Sequence, residues 1–314
     1  MQQREKLIVL IGPTAVGKTA LSIHLAKQFN GEVISGDSMQ VYKGMDIGTA
    51  KITKEEMNDI PHHLIDIKNP DEPFSVAEFQ SLVRQKISEI TKRGKLPIIV
   101  GGTGLYIQSV IYDYQFSEAG SDESYREELE KEAEAYGNQH VYNKLAAIDP
   151  EAAAHLHPNN IRRVIRALEI FHTTGKTMTE YQSKQTPELL YDVVIIGLTM
   201  DRERLYDRIN QRVDVMMANG LLDEVESLWN QGIRSGQAIQ AIGYKELYEY
   251  LNGTMTLEEA VEKLKQNSRR YAKRQLTWFR NKMDVHWFDM SDIENHEKKI
   301  HEIYQFLAGK LGIK

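Results

Sequence analysis

Short apolar blocks and longer periodic stretches alternate along the first hundred residues. Leu7–Ile11 is an unbroken apolar run that stops at Gly12-Pro13, the pattern of a buried strand entering a turn. Thr19–Phe29 follows with Leu21, Leu25 and Phe29 at helical spacing. Glu32–Ser35 reads as a second strand. Phe74–Arg93 places Phe79, Leu82, Val83, Ile87 and Ile90 on one helical face, Gly94 closes it, and Lys95–Val100 reads as a third strand. Strands alternating with helices predict a parallel sheet covered on both faces, an α/β fold.

The texture changes near residue 116. Glu118–Tyr181 is charged, alanine-rich and helical in pattern, with no convincing strand. Tyr191–Leu198 restores a buried-strand run. After Asp201 the pattern predicts helices over Arg204–Asn219, Leu221–Gln231, Tyr244–Leu251 and Leu257–Lys282, with Leu222, Val225 and Trp229 facing a core. The simplest organisation is a core of residues 1–115 and 191–314 interrupted by a helical insertion at 116–190. No internal repeat or low-complexity stretch occurs.

Composition narrows the classes. Apolar residues at 41% and charged residues at 27% describe an ordinary globular chain and exclude a disordered or fibrous one. No apolar run approaches the roughly 18 residues of a membrane span. The first residues run directly into a strand, which leaves no room for a signal peptide. The absence of cysteine excludes disulfides, thiolate metal sites and thiol nucleophiles. A cytoplasmic protein is expected. The net charge of −6 does not suggest a nucleic-acid partner, but residues 261–282 hold eight basic side chains and one acidic one. That +7 segment sits in an otherwise acidic chain and would respond to a polyanion.

The sharpest motif is Gly12-Pro13-Thr14-Ala15-Val16-Gly17-Lys18-Thr19, which fits G-x-x-x-x-G-K-[ST] between a strand and a helix. Glycines let backbone N–H groups curl around phosphate oxygens, and the helix N-terminus adds a favourable dipole. Lys18 would supply charge to the terminal phosphates and Thr19 a hydroxyl to Mg²⁺. The motif fixes a ligand group and no reaction. The third strand ends in Gly101-Gly102-Thr103 and lacks the acid of a nucleotide hydrolase. An acid, Asp37, does follow the second strand. Parallel strands end along one edge, so Asp37, Thr103 and the loop are expected around one crevice. Asp37 could ligate Mg²⁺, take a proton from a nucleophile, or merely open an Asx turn.

A longer set of segments resembles the tRNA dimethylallyltransferases. They are Gly12–Thr19, Asp37-Ser38-Met39-Gln40-Val41-Tyr42, Met45–Lys51, Pro61–Asp66 and Gly101–Tyr106, then Arg162-Arg163 with Arg166–Glu169, Arg208-Ile209 with Arg212, Gly243-Tyr244, and Arg274-Gln275 with Thr277-Trp278 and Arg280. They run in the family's order from about residue 7 to 288. The resemblance implies a P-loop NTPase-like core and transfer of a five-carbon group from dimethylallyl diphosphate to N6 of the adenosine 3′ of a tRNA anticodon. It implies that the phosphate loop grips a prenyl diphosphate and that Asp37 is the base. Lys18, Mg²⁺ on Thr19, and Arg212 would stabilise the leaving diphosphate, and Thr103 would bond near the reacting amine or the donor. Without the resemblance, Arg212 could equally be a helix-surface partner of Asp207 or Asp214.

By the same resemblance, Asp37, Ser38, Met39, Gln40 and Thr103 line the path of an extruded adenine, consistent with the need to unstack a base before modifying it. Ile161, Arg162, Arg163, Val164 and Ile165 match a segment that contacts the anticodon loop, Arg126 matches a further contact in the insertion, and Arg274, Gln275 and Arg280 lie in the basic segment. The insertion is then an anticodon-arm clamp. A solvated helix face is the plain alternative for the arginines. The resemblance is to the shorter bacterial form, without the zinc-finger extension of eukaryotic relatives, and a monomer with no membrane partner is expected. Three other readings remain open at this point: a small-molecule or nucleoside kinase, an enzyme that prenylates free AMP, and a nucleotide-gated RNA-binding protein. The histidine pairs His62-His63 and His155-x-His157 lack an organised ligand set, and no metal is assigned to them.

Overall fold

The computed structural model describes residues 4–114, 116, 122–183, 188–292 and 294–313, and two stretches of the insertion expected at 116–190, residues 117–121 and 184–187, lie outside them. The described chain forms two compact units, Met1–Tyr112 with Leu189–Lys314, and Asp113–Glu188. The first unit starts with β1 (Lys6–Ile11), α1 (Lys18–Gln28), β2 (Gly31–Gly36), α2 (Lys54–Met57), β3 (His62–His63), α3 (Val76–Lys92), β4 (Leu96–Gly101) and α4 (Gly104–Ile111). The second unit holds α5 (Glu123–Tyr136), α6 (Asn138–Ile148), α7 (Pro150–Ala154), α8 (Ile161–Thr174) and α9 (Met178–Ser183). The chain then returns to the first with β5 (Asp192–Thr199), α10 (Arg202–Ala218), α11 (Leu221–Asn230), a 3₁₀ turn at Ala238–Gln240, α12 (Tyr244–Leu251), α13 (Leu257–Lys282), β6 (His286–Asp289) and α14 (His296–Leu311).

The six strands of the described residues all run parallel, in the order β3-β2-β4-β1-β5-β6. β1 is central and Leu7–Ile11 are fully buried, because a parallel sheet is covered on both faces. Successive side chains point to opposite faces. Leu7, Val9 and Ile11 therefore join a core with Phe79, Val83 and Ile87 of α3, Val225 of α11 and Phe279 of α13. Ile8 and Leu10 join the opposite core with Leu21 and Leu25 of α1, Leu205 and Ile209 of α10, and Ile303 and Leu307 of α14. The predicted strands and the α/β class match this sheet. β6 and α14 lie beyond the predicted elements, and β3 is too short to show a pattern. Among the described residues no helix is long and apolar enough to cross a membrane.

Register prepares the site. Ile11 of β1 pairs with Gly101 of β4, and Gly101 pairs with Gly36 of β2. The residues after these strands, Gly12, Gly102 and Asp37, therefore leave the same edge of the sheet side by side. A Cβ on Gly101 would stand 2.3 Å from the Gly36 carbonyl oxygen, so only glycine allows this close approach.

Every regular element among the second unit's described residues is a helix. Leu129, Val141, Leu145, Val164, Ile165 and Leu168 form its core. Two buried acids organise it. Asp149 caps α7 and accepts from the Thr179 hydroxyl at 2.7 Å. Glu169, fully buried, accepts from the Asp122 N–H at 2.9 Å and pairs with Arg126 at 2.9 Å and Arg166 at 2.6 Å.

Candidate active site

The loop between β1 and α1 carries two left-handed residues, Ala15 at φ 65° and Gly17 at φ 106°. This curls the chain into a nest of N–H groups at the start of α1, as an anion cradle requires. Lys18 reaches back over the loop and donates to the Gly12 and Pro13 carbonyls at 2.8 and 2.7 Å. Burial, reinforced by the Arg212 charge and opposed by Asp37, lowers the Lys18 ammonium from its ordinary value to about 7. A lysine held so close to neutrality gains its charge cheaply when an anion arrives. Thr19 is exposed at the first turn of α1, and its hydroxyl makes no hydrogen bond among the described residues.

Arg212 comes from α10, a helix distant in sequence. Burial lowers its pKa most, Asp37 and Glu56 raise it, and Arg208 lowers it. It forms no ion pair among the described residues. Asp214 pairs with Lys265 at 2.7 Å, so the surface salt bridge weighed for Arg212 is absent on that side. Lys18, Arg212 and Asp37 thus feel one another across one site.

Asp37 forms the Asx turn and keeps a carboxylate oxygen in reserve. Its Oδ1 accepts from the Met39 N–H at 2.7 Å and the Gln40 N–H at 3.3 Å. Its Oδ2 accepts no hydrogen bond from the described residues. The loop carrying it is braced from below. Ser35 donates to Gln40 Oε1 at 2.9 Å, and Gln40 Nε2 donates to the Thr49 carbonyl at 3.3 Å. Lys51, nearly buried, donates to the Tyr42 carbonyl at 2.8 Å and pairs with Asp46 and Asp66. Glu224 of α11 accepts from three successive N–H groups, Asp46 and Ile47 at 2.8 and 2.7 Å and Gly48 at 3.0 Å, and from the Tyr244 hydroxyl at 2.5 Å. The Ile47–Lys51 and Gly243-Tyr244 segments therefore brace the Asp37 loop. Glu224 gives no sequence signal, since it sits on an amphipathic helix like any polar residue.

Thr103 begins α4, and its Oγ1 is buried without a hydrogen-bond partner in the described structure. Tyr271 of α13 faces it. Burial, with the Asp37 charge, pushes that phenol up to about 12, while its interactions with Thr103 and Gln275 pull the other way. Tyr271 was not foreseen, although it lies one helical turn before Gln275 and shares its face.

The residues expected to meet tRNA divide. Arg162 and Arg163 of α8 are exposed and carry no ion pair among the described residues. Ile161 is half-buried beside them. Val164 and Ile165 are placed differently from expectation: they are 0% and 3% exposed in the core of their unit, because they occupy the apolar face of α8. Arg126 is spent on Glu169 and Glu123. Ser38 and Met39 are half-buried beside Asp37. On α13, Arg274 is exposed near the Tyr271 ring and Arg280 over the Trp287 ring. Gln275, expected on the RNA face, is 6% exposed and turned inward. No group of histidine and acidic side chains able to hold a metal occurs among the described residues.

Comparison with known proteins settles the family. The IPP transferase family model matches residues 40–282. The chain belongs to the IPP transferase family. It is 66% identical over 312 residues to a tRNA dimethylallyltransferase of Bacillus cereus strain Q1, covering 99% of this chain and 97% of the relative. It is equally identical to one of Bacillus anthracis, covering 99% and 98%. Among solved structures, the full-length tRNA isopentenylpyrophosphate transferase of Bacillus halodurans is 60% identical with a TM-score of 0.75, covering 98% of this chain and 97% of that one. A eukaryotic dimethylallyltransferase acting on tRNA is 34% identical with a TM-score of 0.83, covering 95% and 77%. The IPP transferases share a P-loop NTPase-like fold, and membership sets aside the kinase reading of the phosphate loop.

Proposed function

We propose that the chain transfers a dimethylallyl group from dimethylallyl diphosphate to N6 of the adenosine 3′-adjacent to the anticodon of tRNA and releases diphosphate. The observation that carries the chemistry is the meeting, at one sheet edge, of a phosphate cradle, two basic side chains without ion-pair partners among the described residues and a carboxylate with one oxygen that accepts no hydrogen bond from them. The free-nucleotide alternative draws no support from relatives whose names specify tRNA.

In this reading the loop Gly12–Thr19 holds the diphosphate. The N6–C1 bond forms as the C1–O bond to the diphosphate breaks, and the amine proton goes to Asp37 Oδ2. The Asx turn fixes the carboxylate through Oδ1, so the base arrives oriented. Lys18 and Arg212 meet the charge that develops on the departing oxygen, and their partial burial strengthens that interaction. The Thr103 Oγ1, buried and without a hydrogen-bond partner among the described residues, is the group to bond the reacting amine or the donor. Mg²⁺ would be held through the Thr19 hydroxyl, which makes no hydrogen bond among the described residues, and the diphosphate's own oxygens. When bound it supplies charge neutralisation of the leaving group. Arg162 and Arg163, with Arg274 and Arg280, are the side chains we assign to RNA phosphates, in a cytoplasmic reaction.

The test is one incubation of the protein with Mg²⁺ and unmodified tRNA bearing the target adenosine, with dimethylallyl diphosphate in one tube and ATP in another. Mass spectrometry of the tRNA is expected to show a gain of one C5H8 unit in the first tube alone. Prenylation of free AMP with unmodified tRNA would overturn the reading.

A further inference from the structure

Gln275 spans the two walls of the crevice. Its Oε1 accepts from the Thr14 N–H at 3.2 Å, inside the phosphate loop, and its Nε2 donates to the Gly102 carbonyl at 3.0 Å, at the end of β4. One side chain from α13 therefore fixes the distance between the cradle and the loop that carries Thr103.

The orientation of this amide is locked. Gln275 is 6% exposed, and Gly102 packs so closely that a Cβ there would stand 2.0 Å from Nε2. Turning the amide over would set NH₂ against the Thr14 N–H and oxygen against the Gly102 carbonyl, two repulsive pairs. The amide thus presents a lone-pair oxygen at Thr14 and withholds that loop donor from any anion.

Position along the loop gives this a consequence. Lys18 and Thr19 open α1 and define the helix end of the cradle, while Thr14 lies on its strand side, before the Ala15 and Gly17 turns. A phosphate gripped at the helix end leaves the strand side for whatever phosphate extends beyond the first two. There the ligand would meet an acceptor oxygen and one fewer donor, which costs an anion a charge-assisted hydrogen bond.

We infer that Gln275 is a specificity-determining residue that fits the cradle to a diphosphate and disfavours a triphosphate. This rests on the reading of Gly12–Thr19 as a diphosphate cradle. It would let a chain with an ordinary phosphate-loop motif resist the nucleoside triphosphates that other owners of the motif bind.

The experiment is calorimetric titration of the full chain with inorganic pyrophosphate and inorganic tripolyphosphate at equal Mg²⁺. Wild type is expected to bind pyrophosphate more tightly. Gln275→Met keeps the volume and frees the Thr14 N–H, so the affinity ratio is expected to move about tenfold toward tripolyphosphate. Gln275→Glu keeps an acceptor at Thr14 and adds charge, so the ratio is expected to move toward pyrophosphate. Opposite shifts are not the signature of a merely structural residue. Equal ratios in wild type and Gln275→Met, or equal weakening toward both anions, would overturn the proposal. Should Gln275→Met fail to fold, an unchanged ratio in Gln275→Glu would overturn it equally. Tight pyrophosphate binding with an unchanged ratio removes this inference and leaves the transferase reading intact. Failure of wild type to bind pyrophosphate removes both.

Discussion

The sheet edge and the helical unit treat charge in opposite ways. In the helical unit the buried acids are answered within the fold. Glu169 has two arginines and a backbone N–H, and Asp149 has Thr179 and the first turn of α7. At the sheet edge, Lys18 borrows only carbonyls, Arg212 pairs with no acid among the described residues, Asp37 keeps Oδ2 and Thr103 keeps a buried hydroxyl. Unanswered buried polarity costs stability and persists where a ligand completes it. Satisfied polarity, by contrast, signals architecture. The difference separates working residues from scaffolding more sharply than residue type does, since both regions use arginines and carboxylates.

The comparison breaks most visibly at Asp37. Asp37→Asn keeps an Oδ1 acceptor for the turn and removes the base, so the single-turnover rate is expected to fall about 10²–10⁴-fold with little change in tRNA affinity. A rate near wild type would return Asp37 to the role of turn former. Glu169→Gln tests the other side. It leaves two arginines around a buried neutral group, and because both are about a third exposed the expected loss is only about 2 kcal/mol. Thermal unfolding should record it, while the kcat of the folded fraction stays near wild type. A catalytic defect without destabilisation would mean that buried pairing does not mark scaffolding here.

The sheet and the phosphate loop were legible because their signals are local: apolar runs of one strand each, and eight contiguous residues whose types follow from phosphate geometry. The meeting of Asp37 with that loop was also legible, since parallel strands end on one edge. Arg212 was less so. Spacing gave it a helix but not a side, and only the fold shows Lys265 occupying Asp214. Tertiary placement reassigned Gln275, Val164 and Ile165. A polar residue on α13 can face solvent or the loop it braces, and apolar neighbours of exposed arginines follow the helix period into the core. Glu224 and Tyr271 act through contacts between elements far apart in sequence, and no window of the sequence holds both partners.

A smaller effect is expected at the exposed arginines. Arg162→Ala with Arg163→Ala removes no contact within the described protein, so the melting temperature should hold. If both meet phosphates, the slope of log affinity for tRNA against log salt should flatten by about 0.7–0.9 per lost contact. An unchanged slope would place them on a solvated face.

The smallest effect, and the one most specific to the sheet edge, is a proton. Lys18 titrates near 7 in the free protein, below its unfolded value, so between those two values the folded chain binds fewer protons than the unfolded one. This group therefore stabilises the fold progressively as pH rises through that window, and the contribution is lost as pH falls through about 7. Diphosphate binding reverses the balance, because the anion favours the charged ammonium and raises its pKa. At pH 8 binding of pyrophosphate should then take up most of one proton at Lys18. Calorimetry in buffers of differing ionisation enthalpy counts that proton. Lys18→Arg keeps a cation that does not titrate in this range, so the difference between the two proteins removes the pyrophosphate's own ionisation. Equal proton uptake in both would mean that Lys18 is already fully charged in the free site, and that its carbonyl partners suffice to hold it so.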